Sequence, residues 1–336
     1  MIYLDHNATT PLHPAARDAM LPWLGPPANP TSAHAFGRAA AEAVDRARAQ
    51  VAELCGWHRE GVYFTAGATE ANATVLSRGR WLVSAVEHPS VRVWGAGELP
   101  VDADGVVRLG EVDADAVSVM LANNETGVIQ PVAEIARGRA FLLHVDATQA
   151  PGKIPVRLDA DFVTLSAHKM GGPTGIGALL VRKGVAFEPL LRGGSQERGR
   201  RAGTHAVAAI VGFGAAASVA GTTSPTLRDR LEAGLVALGG RVAGAGAPRL
   251  PNTSCVGFEG VLAADLAIAL DLAGVAVSAG AACASGSAER SHVLRAMGFP
   301  GTAVRFSLGP STTEAEVDAA LVAVRDALGR MRSVRP

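Results

Sequence analysis

Cysteine is scarce in this chain of 336 residues: there are three, Cys55, Cys255 and Cys283. A sparse and odd set excludes a disulfide framework, and no CxxC pair points to a metal. Aromatic residues are thin as well, at 4%. Neither sign of charge is in surplus, because Lys plus Arg and Asp plus Glu both number 31. That balance argues against a direct nucleic-acid partner or a polybasic membrane surface, which need an excess of positive charge. No uncharged apolar run is long enough to span a bilayer. Residues 1–6 show no basic segment leading into an apolar run, so no secretory signal is expected. The starting expectation is a cytoplasmic α/β protein without a metal.

What is abundant is small and apolar. Hydrophobic residues make up 48% of the chain, and there are 39 glycines. Such a chain can pack backbone close to backbone, and its Gly-rich turns can approach a ligand. Residues 36–54 have the spacing of a helix, with Val44, Ala47, Val51 and Leu54 on one face and Arg46 and Arg48 off it. Short apolar runs at 62–64, 81–83, 117–121, 141–145, 162–165 and 177–181 read as buried strands. Helical stretches at 69–76 and 132–137 lie between some of them. Strands alternating with helices imply a mainly parallel sheet covered on both faces. Residues 220–225 read as a turn or linker. Beyond it the pattern is helix, strand, helix, strand, helix, and the Ala/Gly run at 237–247 reads as a loop. Thr313 and Glu316 form a capping box ahead of a last helix striped by Val317, Leu321, Val324 and Leu328.

Several short motifs carry chemistry. In Ser166-Ala167-His168-Lys169-Met170-Gly171-Gly172-Pro173, a lysine stands just past a strand-like run. There it can project into the crevice where open α/β sheets bind ligands, although an isolated lysine is more often a surface residue. An enclosed lysine amine suits Schiff-base chemistry with a carbonyl cofactor, and Ser166 and His168 can donate to a phosphate. In His144-Val145-Asp146-Ala147-Thr148-Gln149, a strand ends in a carboxylate. That carboxylate can hold a pyridinium proton, or simply cap a turn. Thr65-Ala66-Gly67-Ala68-Thr69-Glu70 is a Gly turn at a helix start. Its free amides suit a phosphate, or Thr69 is an ordinary N-cap. His88, in Val86-Glu87-His88-Pro89, can stack on a flat ring, move protons, or sit satisfied in a turn. Cys283 stands among small residues, Ser278-Ala279-Gly280-Ala281-Ala282-Cys283-Ala284-Ser285-Gly286-Ser287, which reads as a flexible loop carrying an accessible thiol. Cys55 and Cys255 have apolar neighbours and read as core fillers.

In this order, these motifs resemble the class V aminotransferase group, and within it the cysteine desulfurases of the nitrogen-fixation and iron–sulfur assembly type. The resemblance covers nearly the whole chain. It extends to Tyr3-Leu4-Asp5-His6-Asn7-Ala8-Thr9-Thr10, Asn123-Asn124-Glu125-Thr126-Gly127, Arg192-Gly193-Gly194-Ser195-Gln196-Glu197-Arg198-Gly199, Arg201-Ala202-Gly203-Thr204, Leu250-Pro251-Asn252-Thr253 and Val304-Arg305-Phe306-Ser307-Leu308-Gly309. It implies the pyridoxal-phosphate-dependent transferase fold type I, an α/β fold. A large domain at 13–222 would carry a mainly parallel sheet of the seven-stranded type. A smaller α+β domain would comprise 1–12 and 223–336 and carry the cysteine loop.

The resemblance also implies roles. Lys169 is the lysine that joins pyridoxal 5'-phosphate, Asp146 pairs with the pyridinium nitrogen and Gln149 bonds the phenolic oxygen. His88 stacks on the ring and shuttles protons. Thr69, Ser166 and His168 bind the phosphate, Ala68 and Asn124 also contact the cofactor, and Thr204 reaches in from the partner subunit of a homodimer. Asn124 and Arg305 lie near the carboxylate of L-cysteine. Cys283 takes the sulfur as a persulfide, alanine leaves, and the sulfur passes to an acceptor protein, an iron–sulfur scaffold or a thiolation enzyme. The remaining readings are a related enzyme, such as a selenocysteine lyase or an aminotransferase, and an inactive structural partner in a sulfur-transfer assembly. The chain departs from the family's usual residues at Thr174, Ala288, Arg290 and Pro310, and it is short for the family.

Overall fold

The computed structural model describes residues 1–110, 114–280 and 290–333. In chain order the strands are β1 (Ile2–Tyr3), β2 (Val62–Thr65), β3 (Trp81–Ser84), β4 (Gly95–Leu99), β5 (Ala116–Ser118), β6 (Leu142–Asp146), β7 (Phe162–Ser166), β8 (Gly177–Val181), β9 (Gly240–Val242), β10 (Thr253–Phe258), β11 (Val275–Ala276) and β12 (Val304–Ser307). Seven of them form one sheet in the order β2-β8-β7-β6-β5-β3-β4. From β7 to β4 every pairing is parallel. Only β8 runs the other way, antiparallel to both β7 and β2. The apolar runs read from the sequence map onto these strands because a parallel sheet covered by helices is buried on both faces, so its strands need not alternate. β7 and β8 are buried at every residue.

This topology sends the carboxyl ends of β2, β3, β5, β6 and β7 to one edge. The turns that leave that edge are the motif segments, and open α/β sheets bind ligands there. The expected strand at 117–121 is assigned only as far as Ser118. Beyond it the chain still runs alongside β6, with the Val119 and Leu121 amides donating to the carbonyls of His144 and Asp146. Asn123 and Asn124 are thereby delivered to the same edge as Asp146.

The helix Ala35–Cys55 starts at His34, whose Nδ1 accepts from the Gly37 amide, and ends at Gly56 with φ +60°. Arg48 is the surprise on it, since it is buried rather than turned to solvent. Its guanidinium forks onto Glu197 at 2.7 and 2.8 Å and donates to the Val62 carbonyl at 2.7 Å. A distant carboxylate, invisible to helical periodicity, brings the arginine inside. Helix Val207–Val219 packs beside this helix. It is apolar on all sides and gives no 3.6-residue signal. Gly214 permits the approach: a Cβ there would lie 2.6 Å from the Ala47 Cα.

The C-terminal part is richer than the simple alternation expected. A three-stranded antiparallel sheet has the order β12-β10-β9, and β1 pairs in parallel with β11. β9 lies inside the Ala/Gly run expected to be a loop. Its glycine serves packing, because a Cβ on Gly240 would lie 2.7 Å from the Leu235 carbonyl oxygen. The last helix, Glu314–Ser333, has the reciprocal cap read from sequence: the Thr313 amide donates to Glu316 at 2.8 Å, and the Glu316 amide donates to Thr313 Oγ1 at 3.3 Å. One apolar cluster lies against the large sheet and includes Val51, Phe64, Leu143, Leu165 and Phe213. A second joins Leu4, Leu231, Leu266, Phe306 and Val324. Cys55 and Cys255 are buried core residues, as expected, and burial pushes each thiol up to about 12. Among the described residues no helix is long and apolar enough to cross a membrane.

Candidate active site

A cavity of about 920 Å³ opens at the carboxyl edge of the large sheet. Lys169 enters it from the single helical turn Ala167–Lys169 that follows β7. The amine donates to the carbonyls of Asn7 at 2.6 Å and Ala8 at 2.7 Å. Burial, then the nearby Arg305 charge, lowers it to about 8. The amine is therefore enclosed, oriented and easier to deprotonate than an exposed lysine.

Asp146 ends β6 on the adjacent strand and is 5% exposed. Its Oδ1 accepts from the Thr148 amide at 3.0 Å, and its Oδ2 accepts from Asn72 Nδ2 at 2.9 Å. The turn role left open by the sequence and a cavity-facing carboxylate are thus both present. Gln149 lines the cavity as well and donates from Nε2 to the Asn7 carbonyl at 2.9 Å. His88 is on the cavity wall after β3, and its Nδ1 also accepts from the Ser90 amide at 3.2 Å. Burial lowers its imidazole below the ordinary value. A neutral ring fits both a turn cap and a flat stacking surface.

The helix Ala68–Leu76 begins after β2 with no side-chain cap. Thr69 is not the N-cap; that place belongs to Gly67, whose φ of 151° suits glycine. Ala68 and Thr69, the first two residues of this helix, line the cavity, and the first amides of a helix have no intrahelical partner. Ser166 and His168 line it too, and His168 lies 3.2 Å from Thr9 Oγ1 through Nδ1. Burial, then the Lys169 and Lys153 charges, lowers His168 to about 4. An uncapped helix start beside a hydroxyl and an imidazole can hold an anion.

Arg305, on β12, reaches the cavity from the smaller sheet. It donates to the Asn124 carbonyl at 2.9 Å and to Asp5 Oδ1 at 2.6 Å, while its buried Nε has no partner. Asn124 lines the cavity beside it. Thr204 is the exception: it is exposed and lines a separate pocket of about 240 Å³. Its loop is held by Glu197, which takes Arg48, His205 Nε2 at 2.8 Å and the Phe64 amide at 2.9 Å. These donors outweigh burial and lower the carboxyl to about 2. Both Glu197 and Arg198 adopt positive φ, at 47° and 57°. Cys283 lies outside the described residues. Ser278 and Gly280, just before it in sequence, line the cavity.

Residues 2–320 match the family described as aminotransferase class-V. The chain belongs to that family. Over its full length it is similar to the cysteine desulfurase of Cereibacter sphaeroides, at 45% identity and with 97% of that protein covered. It is similar to the cysteine desulfurase of Gluconacetobacter diazotrophicus at 43%, again over the full chain and 95% of the relative. A solved structure of a NifS-like protein from Rickettsia africae superposes with a TM-score of 0.90 at 30% identity, covering 98% of this chain and 99% of that one. The fold is accordingly the pyridoxal-phosphate fold type I of class V aminotransferases.

Residues that motif reading did not single out hold the cavity side chains in place. Asn7 is the pivot, since its backbone carbonyl accepts from both Lys169 and Gln149 and its side-chain Nδ2 donates to Thr253 Oγ1 at 2.9 Å. Asn72 holds Asp146 and also donates to Ser90 Oγ at 3.0 Å, which ties it to the His88 turn. Its place three residues after Thr69, one turn into the helix, was the signal available. Asp5 faces Arg305 because it bridges to Ser307, two residues along β12, which local sequence does not announce.

Proposed function

We propose that this chain is a pyridoxal-phosphate-dependent cysteine desulfurase, taking sulfur from L-cysteine and releasing L-alanine. The observation that carries the reading is the arrangement in one cavity of an enclosed lysine amine, a carboxylate fixed at the end of the neighbouring strand and an uncapped helix N-terminus. That set matches the group's needs: an amine for its carbonyl, an anion for its ring nitrogen, and amides for its phosphate. The class V relatives that carry the name cysteine desulfurase support the substrate.

When bound, the cofactor supplies an electron sink for the substrate amino acid. Asp146 holds the proton on the ring nitrogen, and Asn72 and the Thr148 amide keep its carboxylate aimed. The first amides of helix Ala68–Leu76, with Thr69, Ser166 and His168, hold the phosphate. His88 walls the ring, and Lys169 anchors the cofactor and moves a proton. Arg305, with Asn124, receives the substrate carboxylate. Cys283 attacks the substrate sulfur as a thiolate. A sulfur–sulfur bond forms, the carbon–sulfur bond breaks, and its electron pair stays with carbon, which takes up a proton to give alanine. The persulfide on Cys283 then passes to a cytoplasmic acceptor, an iron–sulfur scaffold or a thiolation enzyme. The two largest apolar clusters support a division into a cofactor-binding domain at 13–222 and a smaller domain of 1–12 and 223–336, with a smaller cluster joining Val86 and Met120 to Cys255 and Phe299 across it. The test is direct: purified protein should be yellow and should release sulfide and alanine in equal amounts from cysteine under reducing conditions. A colourless protein that binds no pyridoxal phosphate would overturn the reading.

Arg305→Ala should act on binding. A charge-assisted hydrogen bond is worth about 1.5–3 kcal/mol. The KM for cysteine should rise roughly ten- to a hundredfold, with kcat changed much less. An unaltered KM would assign Arg305 to structure alone, as the partner of Asp5.

The working unit in this reading is a homodimer. Thr204 is exposed on a loop pinned by Glu197, outside the cavity of its own chain, which suits a residue that completes the phosphate site of the partner. Light scattering should give twice the chain mass. A monomer that turns over cysteine at the full rate would remove the role assigned to Thr204.

A further inference from the structure

Lys153 is one of only three lysines in the chain, and it is 6% exposed. Its Nζ donates to the Gln149 carbonyl at 3.0 Å and to Gln149 Oε1 at 3.1 Å. Among the described residues no carboxylate pairs with it. A buried ammonium without a counter-ion is costly. Burial, then the Lys169 and Arg305 charges, lowers this amine to about 7. Charged or neutral, the nitrogen keeps enough N–H bonds for both contacts with Gln149.

The consequence falls on Gln149. A glutamine amide can turn over and exchange its oxygen for its nitrogen, and its neighbours decide which way it faces. Here Oε1 meets a donor, so Nε2 is left on the other side. One of its N–H bonds goes to the Asn7 carbonyl, which also receives Lys169. The second has no partner among the described residues, and Gln149 lines the cavity. We propose that Lys153 is a positioning residue, which locks the Gln149 amide so that this side chain can only donate to the bound cofactor. The inference rests on reading Gln149 as a cofactor contact, and it extends that contact one layer into the core.

The test uses the protein loaded with pyridoxal phosphate and reads the visible band, its pH titration and the cofactor dissociation constant. Gln149→Ala should shift the band titration and weaken cofactor binding about three- to tenfold, the loss of one hydrogen bond. Lys153→Met should do the same, with apo-protein unfolding measured alongside to show that the fold survives. The double variant should be no worse than Gln149→Ala alone, since both changes remove one interaction. Lys153→Arg keeps the donors and should restore the parent titration; it also carries the test if the methionine variant does not fold. A Lys153→Met protein with the parent band and affinity overturns the proposal. So does full additivity in the double variant, or a folded Lys153→Arg protein that behaves like Gln149→Ala. If Gln149→Ala itself changes nothing, the cofactor contact falls and the positioning role falls with it.

Discussion

Lys169→Ala is expected to abolish sulfide release, with a fall in kcat of at least about a thousandfold, because the covalent anchoring and proton transfer proposed for Lys169 would be lost together. The visible band of the chain-bound cofactor should vanish, and borohydride should no longer fix cofactor to the protein. The chain has only three lysines, so the labelling has few alternatives. Lys183 is exposed in the turn after β8 and does not line the cavity. Lys153 is buried and committed to Gln149. Lys169 alone of the three lines the cavity, with Asp146 opposite on the next strand and two carbonyls orienting its amine. Peptide mapping of the reduced protein checks this. Unchanged labelling in Lys169→Ala would move the anchor to one of the other two lysines.

The sheet was legible in the sequence because its strands are buried on both faces. Continuous apolar runs such as Gly177 to Val181 then stand out, and each turn at the carboxyl edge carries a polar residue that the core does not need. What stayed hidden has two physical causes. Segments whose side chains give no period were missed. Helix Val207–Val219 is apolar all round, and β4 and β9 are built around glycine, with Gly95 and Gly240 pressed against neighbours. Contacts made across long stretches of chain were missed as well. Arg48 is drawn inside by Glu197, Arg305 meets Asp5, and Asn7 serves both Lys169 and Gln149. The motifs therefore indicate which residues assemble, while the hydrogen bonds that hold them in place come from segments that local pattern cannot connect.

Cys283→Ser should separate the two halves of the reaction. In the proposed function, holding the cofactor and receiving cysteine call on Lys169, Asp146, Arg305 and the phosphate contacts, none of which is a thiol. The variant should keep its visible band, its cofactor affinity and a spectral response to added cysteine. Breaking the carbon–sulfur bond needs a nucleophile that accepts sulfur. A thiol near its usual pKa offers a few per cent of thiolate at neutral pH, whereas a serine hydroxyl stays protonated and attacks sulfur poorly. Sulfide release should therefore fall at least about a hundredfold, and mass spectrometry should find no persulfide on the chain. The other two cysteines serve as controls with a physical basis. Both thiols are buried and pushed up to about 12, so neither is a thiolate at neutral pH. Cys55→Ser and Cys255→Ser should keep full activity and lose about 1–3 kcal/mol of stability, the cost of a hydroxyl in an apolar core. If Cys283→Ser keeps full sulfide release while one of the buried variants loses it, the wrong cysteine has been assigned. If all three single variants stay active, no thiol takes part, and the enzyme is a lyase of the same fold rather than a desulfurase.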